Sequence, residues 1–340
     1  MKTWLFNRFA IDKLWYGRHP LRWLLFPLAC VYQAFVVCRR SYLQQFRQQH
    51  SPVPIIVVGN ITVGGVGKTP LVIAIAQKLR AQGLRVGIVS RGYGATIRHF
   101  PHEVAITDQA HHVGDEPLLL ATKTGIPVVI APKRVCAVRY LLDKYDSQVI
   151  ISDDGLQHYW MGRAIEIAVV DGSRGLGNGL CLPAGPLREA KRRLQQVNMV
   201  VVNGGEMMQF SNVASVHRMD LKPGLLTRLL DGETTTISQL LSPVAAVAAI
   251  GNPSRFFETL LALGVSFNPY PFPDHHAFRS EELDVAEKTL VMTEKDAVKC
   301  KTFADGRMYF LPVDAVVGDE FWDVLWSELQ KSLTSIKSKR

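Results

Sequence analysis

Gly59-Asn60-Ile61-Thr62-Val63-Gly64-Gly65-Val66-Gly67-Lys68-Thr69-Pro70 follows an apolar run, Ile55-Ile56-Val57-Val58, and precedes a helix-like segment from Leu71 to Arg80. Strand, glycine loop, Lys-Thr and helix, in that order, make a cradle for the tail of a nucleoside triphosphate. Glycines let successive backbone N–H groups turn into one concavity, and the helix start adds positive potential. In such a loop the lysine reaches the β/γ phosphates and the threonine hydroxyl holds Mg²⁺. The strict GxxxxGK[ST] spacing asks for glycine where Thr62 stands. The plain alternative is a glycine-rich turn with a chance Gly-Lys-Thr, and the flanking strand and helix argue against it. The candidate triphosphate contacts are Thr62, Val63, Gly64, Gly65, Val66, Gly67, Lys68 and Thr69.

Around this loop, strand-like runs at 53–58, 86–90, 127–131, 149–152, 165–170 and 199–202 alternate with helix-like segments at 68–82, 115–124, 133–145 and 186–196. Alternation with continuously apolar strands predicts an α/β domain with a mostly parallel sheet covered on both faces. Ligands of such sheets bind beyond the carboxyl ends of the strands. The runs lead into Gly59–Thr69, Arg91-Gly92-Tyr93-Gly94, Asp153-Asp154-Gly155, Asp171-Gly172 and Asn203-Gly204-Gly205. Polar and glycine residues gather on the edge where chemistry is expected. Glycine punctuation over 204–240 reads as linker or hairpin. A second, smaller α/β unit comes next, with strands at 244–250, 266–272, 289–293 and 308–312 and helices at 254–263, 280–289 and 319–333. The expected organisation is a basic, aromatic segment over 1–50, a loop-bearing domain over 51–203, a linker over 204–240 and a C-terminal lobe over 241–340.

The net charge of +9 is concentrated at the N-terminus. Residues 1–50 hold eight Lys/Arg and one acid, +7, and the other 290 residues hold 31 basic and 29 acidic side chains, +2. A near-neutral body argues against nucleic-acid binding. The charge-free stretch 23–38 is 16 residues long, about 24 Å as a helix against about 30 Å of hydrocarbon. A full span is therefore marginal. Aromatics interleaved with cations fit a segment lying in a membrane interface, and the alternative is a pair of amphipathic helices packed on the body. Five cysteines without CxxC spacing read as thiols, not as disulfides or a zinc site.

Val149-Ile150-Ile151-Ser152-Asp153-Asp154 ends a strand in two carboxylates, where a Mg²⁺-organising acid is expected after a phosphate loop. The residues alone do not choose between Asp153 and Asp154. Gly114-Asp115-Glu116-Pro117 opens a helix, where acids offset the macrodipole; a carboxylate aimed at an acceptor hydroxyl is the equal alternative. In Phe272-Pro273-Asp274-His275-His276, one imidazole at an interdomain cleft suits proton transfer, and a solvated loop histidine is the plain reading. Arg188 is a candidate phosphate contact. The glycines of 172–179 do not match GxGxxG, which excludes dinucleotide binding.

Together, Asn60-Ile-Thr-Val-Gly-Gly-Val-Gly-Lys-Thr-Pro70, Ser90-Arg-Gly-Tyr-Gly94, Gly114-Asp-Glu-Pro117, Ser152-Asp-Asp-Gly-Leu-Gln-His158, Leu182-Pro-Ala-Gly-Pro-Leu-Arg-Glu189, Gly251-Asn-Pro253, Phe272-Pro-Asp-His-His276 and Met292-Thr-Glu-Lys-Asp-Ala297 resemble the tetraacyldisaccharide 4′-kinase family, the lipid A 4′-kinases of Gram-negative bacteria. The family shares the Thr62 departure. The resemblance implies ATP- and Mg²⁺-dependent phosphorylation of the 4′-hydroxyl of a tetraacylated glucosamine disaccharide 1-phosphate on the cytoplasmic face of the inner membrane; a monomer is the expected working unit. It implies two α/β lobes joined by a β-rich linker, with the site between them and the N-terminal helices associating with the membrane. It implies that Asp115 is the base, assisted by His275, and that Asp153, Asp154 and Glu116 lie around Mg²⁺-ATP, beside the Lys68 and Thr69 that the loop itself supplies for phosphate and metal. The competing class is a membrane-associated switch ATPase, in which a lysine would stand at the Val63 position. A transporter subunit would need multiple apolar spans, which the sequence does not offer.

Overall fold

Runs of Val and Ile favour extended backbone, because β-branched side chains are stiff at χ1 and pack well on a pleated surface. Ile55–Gly59, Val86–Ser90, Val149–Asp153, Ile165–Asp171 and Met199–Asn203 form strands with every residue buried. A computed structural model of the chain describes residues 11–205, 210, 213, 215–240 and 242–337. Positions 1–10 of the basic segment and 338–340 of the polar tail lie outside the described residues.

The five strands form the middle of a nine-stranded sheet. Its order is Val313–Val317, Val216–Pro223, Met199–Asn203, Ile165–Asp171, Ile55–Gly59, Val149–Asp153, Val86–Ser90, Val128–Ile130, His102–Glu103. All its pairings are parallel except at the two edges. Side chains alternate between faces. Ile56 and Val58 share a core with Leu71 and Ile75 of helix Lys68–Ala81 and Leu120 of helix Asp115–Thr124. Ile55 and Val57 pack on the opposite face with Ala137 and Leu141 of helix Arg134–Tyr145.

The second lobe is a six-stranded sheet ordered Thr234–Thr235, Leu226–Arg228, Met308–Leu311, Leu290–Thr293, Val244–Ala248, Phe267–Pro271. Helix Pro253–Ala262 covers one face through Phe256 and Leu260. Helix Glu294–Cys300 covers the other through Ala297 and Cys300.

Sheet membership departs from the expected boundaries. Strand Val216–Pro223, from the expected linker, and strand Val313–Val317 with helix Asp319–Lys337, from the expected C-terminal lobe, join the first sheet. Phe321, Leu325 and Leu329 make a helical stripe that is wholly buried in the first core, and that burial decides where the helix docks. The helix expected over 280–289 is reduced to a 3₁₀ turn at Ser280–Leu283. Leu283 and Val285 both reach the second core, two residues apart, a spacing that extended chain provides and a helix does not. The helix expected over 186–196 is a 3₁₀ segment, Lys191–Gln196. The segment ahead of it braces the glycine loop: Val63 N donates to Pro186 O at 2.9 Å and Arg188 N to Ile61 O at 2.7 Å.

Helix Leu21–Phe46 runs for 26 residues, about 39 Å, well beyond the charge-free 23–38. Ala29 and Leu43 bury against the body, while Leu24 is 77% exposed and Val31 and Phe35 are similarly bare. Tyr32 Oη donates to Arg188 O at 3.2 Å and Arg40 Nη1 to Gln196 Oε1 at 2.6 Å. The helix therefore lies along the first lobe with an exposed apolar face. All five cysteines are free.

Candidate active site

The glycine loop closes on helix Lys68–Ala81, whose first turn carries no acid. Gly67 takes φ 88°, a left-handed value that glycine adopts without cost. A Cβ there would also sit 2.2 Å from Asn203 Nδ2, so the position admits no side chain. The Asn60 amide donates to Thr62 O at 2.8 Å, and the Asn203 amide to Val66 O at 2.9 Å. These bonds spend the Thr62 and Val66 carbonyls on the protein, so that the N–H groups after Val63 can turn to an anion. Lys68 Nζ lies 3.4 Å from Asn60 Oδ1 and 3.3 Å from Asp154 Oδ1.

Asp153 and Asp154 close the strand beside the loop strand. Arg134, itself buried, donates to the carbonyls of both and fixes the turn between them. Asp153 is 1% exposed, and among the described residues neither of its carboxylate oxygens has a hydrogen-bond partner. Burial, then the neighbouring charge of Glu116, pushes its pKa up. A buried carboxylate without a donor calls for a cation. Burial also works against the charge of Asp154, but Lys68, Arg188 and Arg134 outweigh it and hold the group well below the usual carboxylate range. Arg188 Nη1 is 3.3 Å from Asp154 Oδ2. Among the described residues no group of three or more acids, histidines or cysteines forms a ready-made metal cage. Two carboxylates and the Thr69 hydroxyl next to a phosphate cradle instead suit Mg²⁺, which keeps several waters and takes its remaining ligands from phosphates. The fit is to that ion.

Across the cleft, Asp115 opens helix Asp115–Thr124 in the first lobe and His275 belongs to the second. His275 Nδ1 lies 3.0 Å from Asp115 Oδ2 and 3.1 Å from Oδ1. His275 has φ 61°, rare for a residue with a side chain, and Tyr93 packs on its ring with centroids 5.2 Å apart. Burial alone would raise the pKa of Asp115; the His275 hydrogen bond and the Lys295 charge overcome it and bring the carboxyl down to about 2. The same hydrogen bond raises His275 above its ordinary value. Lys295 Nζ is 2.8 Å from Glu116 Oε1, 3.6 Å from Asp274 Oδ1 and 3.7 Å from Asp115 Oδ2. Three carboxylates from both lobes thus surround one largely buried ammonium.

The depressed Asp115 and raised His275 stabilise the docked lobes over a defined window. The His275 contribution is complete below its unfolded pKa of about 6.5 and is lost as pH rises through the raised folded value. The Asp115 contribution is complete above its unfolded pKa of about 4 and is lost only as pH falls towards about 2. We expect the melting-temperature difference between native protein and His275→Gln to be largest near pH 5–6 and to shrink above about pH 7. A difference independent of pH from 5 to 9 would contradict the pairing.

A cavity of about 1320 Å³ lies between the lobes. The loop residues Val63–Thr69, Glu116, Asp154, His275 and Lys295 all line it, and Tyr32 and Arg39 of the N-terminal helix close one end. Asp115 and Asp153 lie buried behind its wall. The structure therefore brings together the residues singled out from the sequence, with Thr62 set back, buried in a bridge to Leu187. Glu116 is tied to Lys295. Lys295 lies in the Met292–Ala297 motif but carries no signal of its own there. Asp171 and Asn203, visible only as polar strand ends, bind Arg255 and Asn252 of the second lobe.

The family model described as tetraacyldisaccharide-1-P 4′-kinase matches residues 21–330. A tetraacyldisaccharide 4′-kinase of Legionella pneumophila (strain Lens) is 55% identical over 322 residues, which are 95% of this chain and 98% of the relative. One from Nitrosococcus oceani is 45% identical over 329 residues, 95% of each. The crystal structure of LpxK from Aquifex aeolicus in complex with ATP superposes with a TM-score of 0.75 at 24% identity, covering 91% of this chain and 99% of that one, which supports the two-lobed fold. With nearly its whole length matched by the family model and by such relatives, the chain belongs to the tetraacyldisaccharide-1-P 4′-kinase family.

Proposed function

We propose that this chain transfers the γ-phosphate of ATP to the 4′-hydroxyl of a tetraacylated glucosamine disaccharide 1-phosphate, a step of lipid A biosynthesis. The observation that carries this reading is that the glycine loop with Lys68 and the interlobe Asp115–His275 pair adjoin one cavity. Backbone N–H groups of residues 64–69 and the Lys68 ammonium grip the triphosphate, with Thr62 and Val63 bracing the loop from behind. Thr69, Asp153 and Asp154 would hold Mg²⁺, with Glu116 available once Lys295 releases it, and the bound ion would supply neutralisation of the triphosphate's negative charge. Asp115 accepts the proton of the 4′-hydroxyl, and the His275 imidazole, donating from Nδ1, holds the carboxylate in place. A base with so low a pKa suffices because phosphoryl transfer needs proton removal only late. Closed lobes exclude water, which suppresses ATP hydrolysis.

The acceptor is a lipid, so the chain works at a membrane surface. The exposed face of helix Leu21–Phe46 supports that, since its other face and its Tyr32 and Arg39 reach the cavity. We assign the working site to the cytoplasmic face of the inner membrane, where ATP is present, and the working unit to a monomer without a nucleic-acid partner. Replacing Leu24, Val31 and Phe35 together by serine is expected to lower binding to anionic lipid vesicles at least about tenfold, since each buried side chain contributes about 2 kcal/mol. Unchanged co-sedimentation would remove this helix from the membrane contact.

The test of the activity is incubation with Mg-ATP and the tetraacylated disaccharide 1-phosphate in detergent, followed by mass analysis. One added phosphate on the lipid is the expected product. ATP hydrolysis stimulated by a protein partner, with no phosphorylated lipid, would instead favour a switch ATPase.

A further inference from the structure

We infer that Asn252 and Arg255, at the start of the second lobe's first helix, are positioning residues that lock the phosphate loop through Asp171 and Asn203. What the loop binds rests on the proposed kinase activity; the lock itself rests on geometry. Asp171 and Asn203 are register partners at the carboxyl ends of neighbouring parallel strands. The Asn203 side-chain amide donates to Val66 O at 2.9 Å, immediately before Gly67. The Asn203 carbonyl accepts from Arg255 Nη2 at 2.7 Å, and the same guanidinium lies 3.3 Å from Asp171 Oδ1. Asp171 Oδ2 accepts from Asn252 Nδ2 at 3.2 Å, and Asn252 Oδ1 accepts from Arg174 Nη2 at 3.0 Å. Asp171, Asn203 and Asn252 are all buried, so breaking any of these bonds would leave a desolvated polar group. The two backbones also meet here: a Cβ on Gly251 would lie 2.3 Å from Gly65 N.

The second lobe therefore touches the tip of the loop and holds its base through Asn203. N–H groups that are to receive phosphate must converge before the ligand arrives, or binding bears the ordering cost. With the lobe docked, the loop is preformed. With the chain Arg255–Asn203–Val66 broken, it is not, and ATP affinity falls through disorder of the loop, an effect separate from any contact that Arg255, which lines the cavity, makes with the nucleotide.

The test uses full-length protein without acceptor and two measurements. One is the dissociation constant for ATP by calorimetry, and the other is nucleotide-free amide hydrogen exchange over residues 62–69. Arg255→Met is expected to weaken ATP binding about tenfold, the size of one charge-assisted hydrogen bond, and to speed exchange in the loop. Asn203→Ala should do the same. The double variant should be little worse than either single one, because both break one chain. Arg255→Lys should fall between native and Arg255→Met. An arginine that merely contacted ATP would leave nucleotide-free exchange unchanged and would add fully to Asn203→Ala; either result overturns the lock. Should Arg255→Met not fold, unchanged loop exchange in Arg255→Lys overturns it equally. Failure of the kinase reading looks different: native protein with a protected, ATP-binding loop that makes no phosphorylated lipid.

Discussion

Lys68→Met is expected to lower kcat by about a thousandfold or more, the largest single-residue effect at this site. Methionine keeps the length and apolar stem of lysine, so packing against the loop survives and the loss is that of one positive charge. That charge rests between Asn60 Oδ1 and Asp154 Oδ1. Its removal leaves the Asp154 carboxylate with its Arg188 ion pair and takes from the triphosphate the ammonium proposed to reach it. In a water-excluded cleft such a charge acts on the transition state far more than on the bound ground state. Steady-state kinetics with detergent-dispersed acceptor measure it. A kcat within about tenfold of native would remove Lys68 from the transfer step.

Asp115→Asn is the second large effect, with kcat falling about 10²–10⁴-fold and KM for ATP changing little. The carboxamide oxygen can still accept from His275 Nδ1, so the interlobe hydrogen bond survives, while the melting temperature falls only by the charge pairing that the carboxylate gave His275 and Lys295. What disappears is the ability to take a proton. The kcat loss separates a base from a structural anchor, because loss of an anchor would lower stability and leave turnover largely intact. Loss of melting temperature with kcat preserved would reassign Asp115 to holding the lobes together. His275→Ala should also reduce kcat more than ATP affinity, through the loosened carboxylate.

The loop, the strand-end acids and the two cleft residues were legible because each is announced locally. Glycines before Lys-Thr, carboxylates after an apolar run, and a histidine in a Pro-Asp-His-His turn are signals readable within a dozen residues. Pairing is another matter. Asp115 and His275 stand 160 residues apart, and only the packing of the second lobe on the first decides that they touch. Lys295 looks like one more helix-start lysine until three carboxylates from distant segments converge on it. Periodicity identified the helix after Gly318 but not which core its stripe of Phe321, Leu325 and Leu329 would enter. The alternation around Val313 is weak, and its edge strand takes its ladder partner from Val216–Pro223, far upstream in the chain.

Because the last strand and helix return to the first sheet, the second lobe is slung from two adjacent tethers. The chain leaves the first lobe near Gly224 and comes back near Pro312, and the two crossings are stitched by Gly224 N donating to Pro312 O at 2.9 Å. A body hung from two neighbouring threads swings like a door on one line and resists twisting or drifting away. Trimming the chain after position 224 would accordingly not yield a complete nucleotide-binding half; it would strip Phe321, Leu325 and Leu329 from that half's own interior.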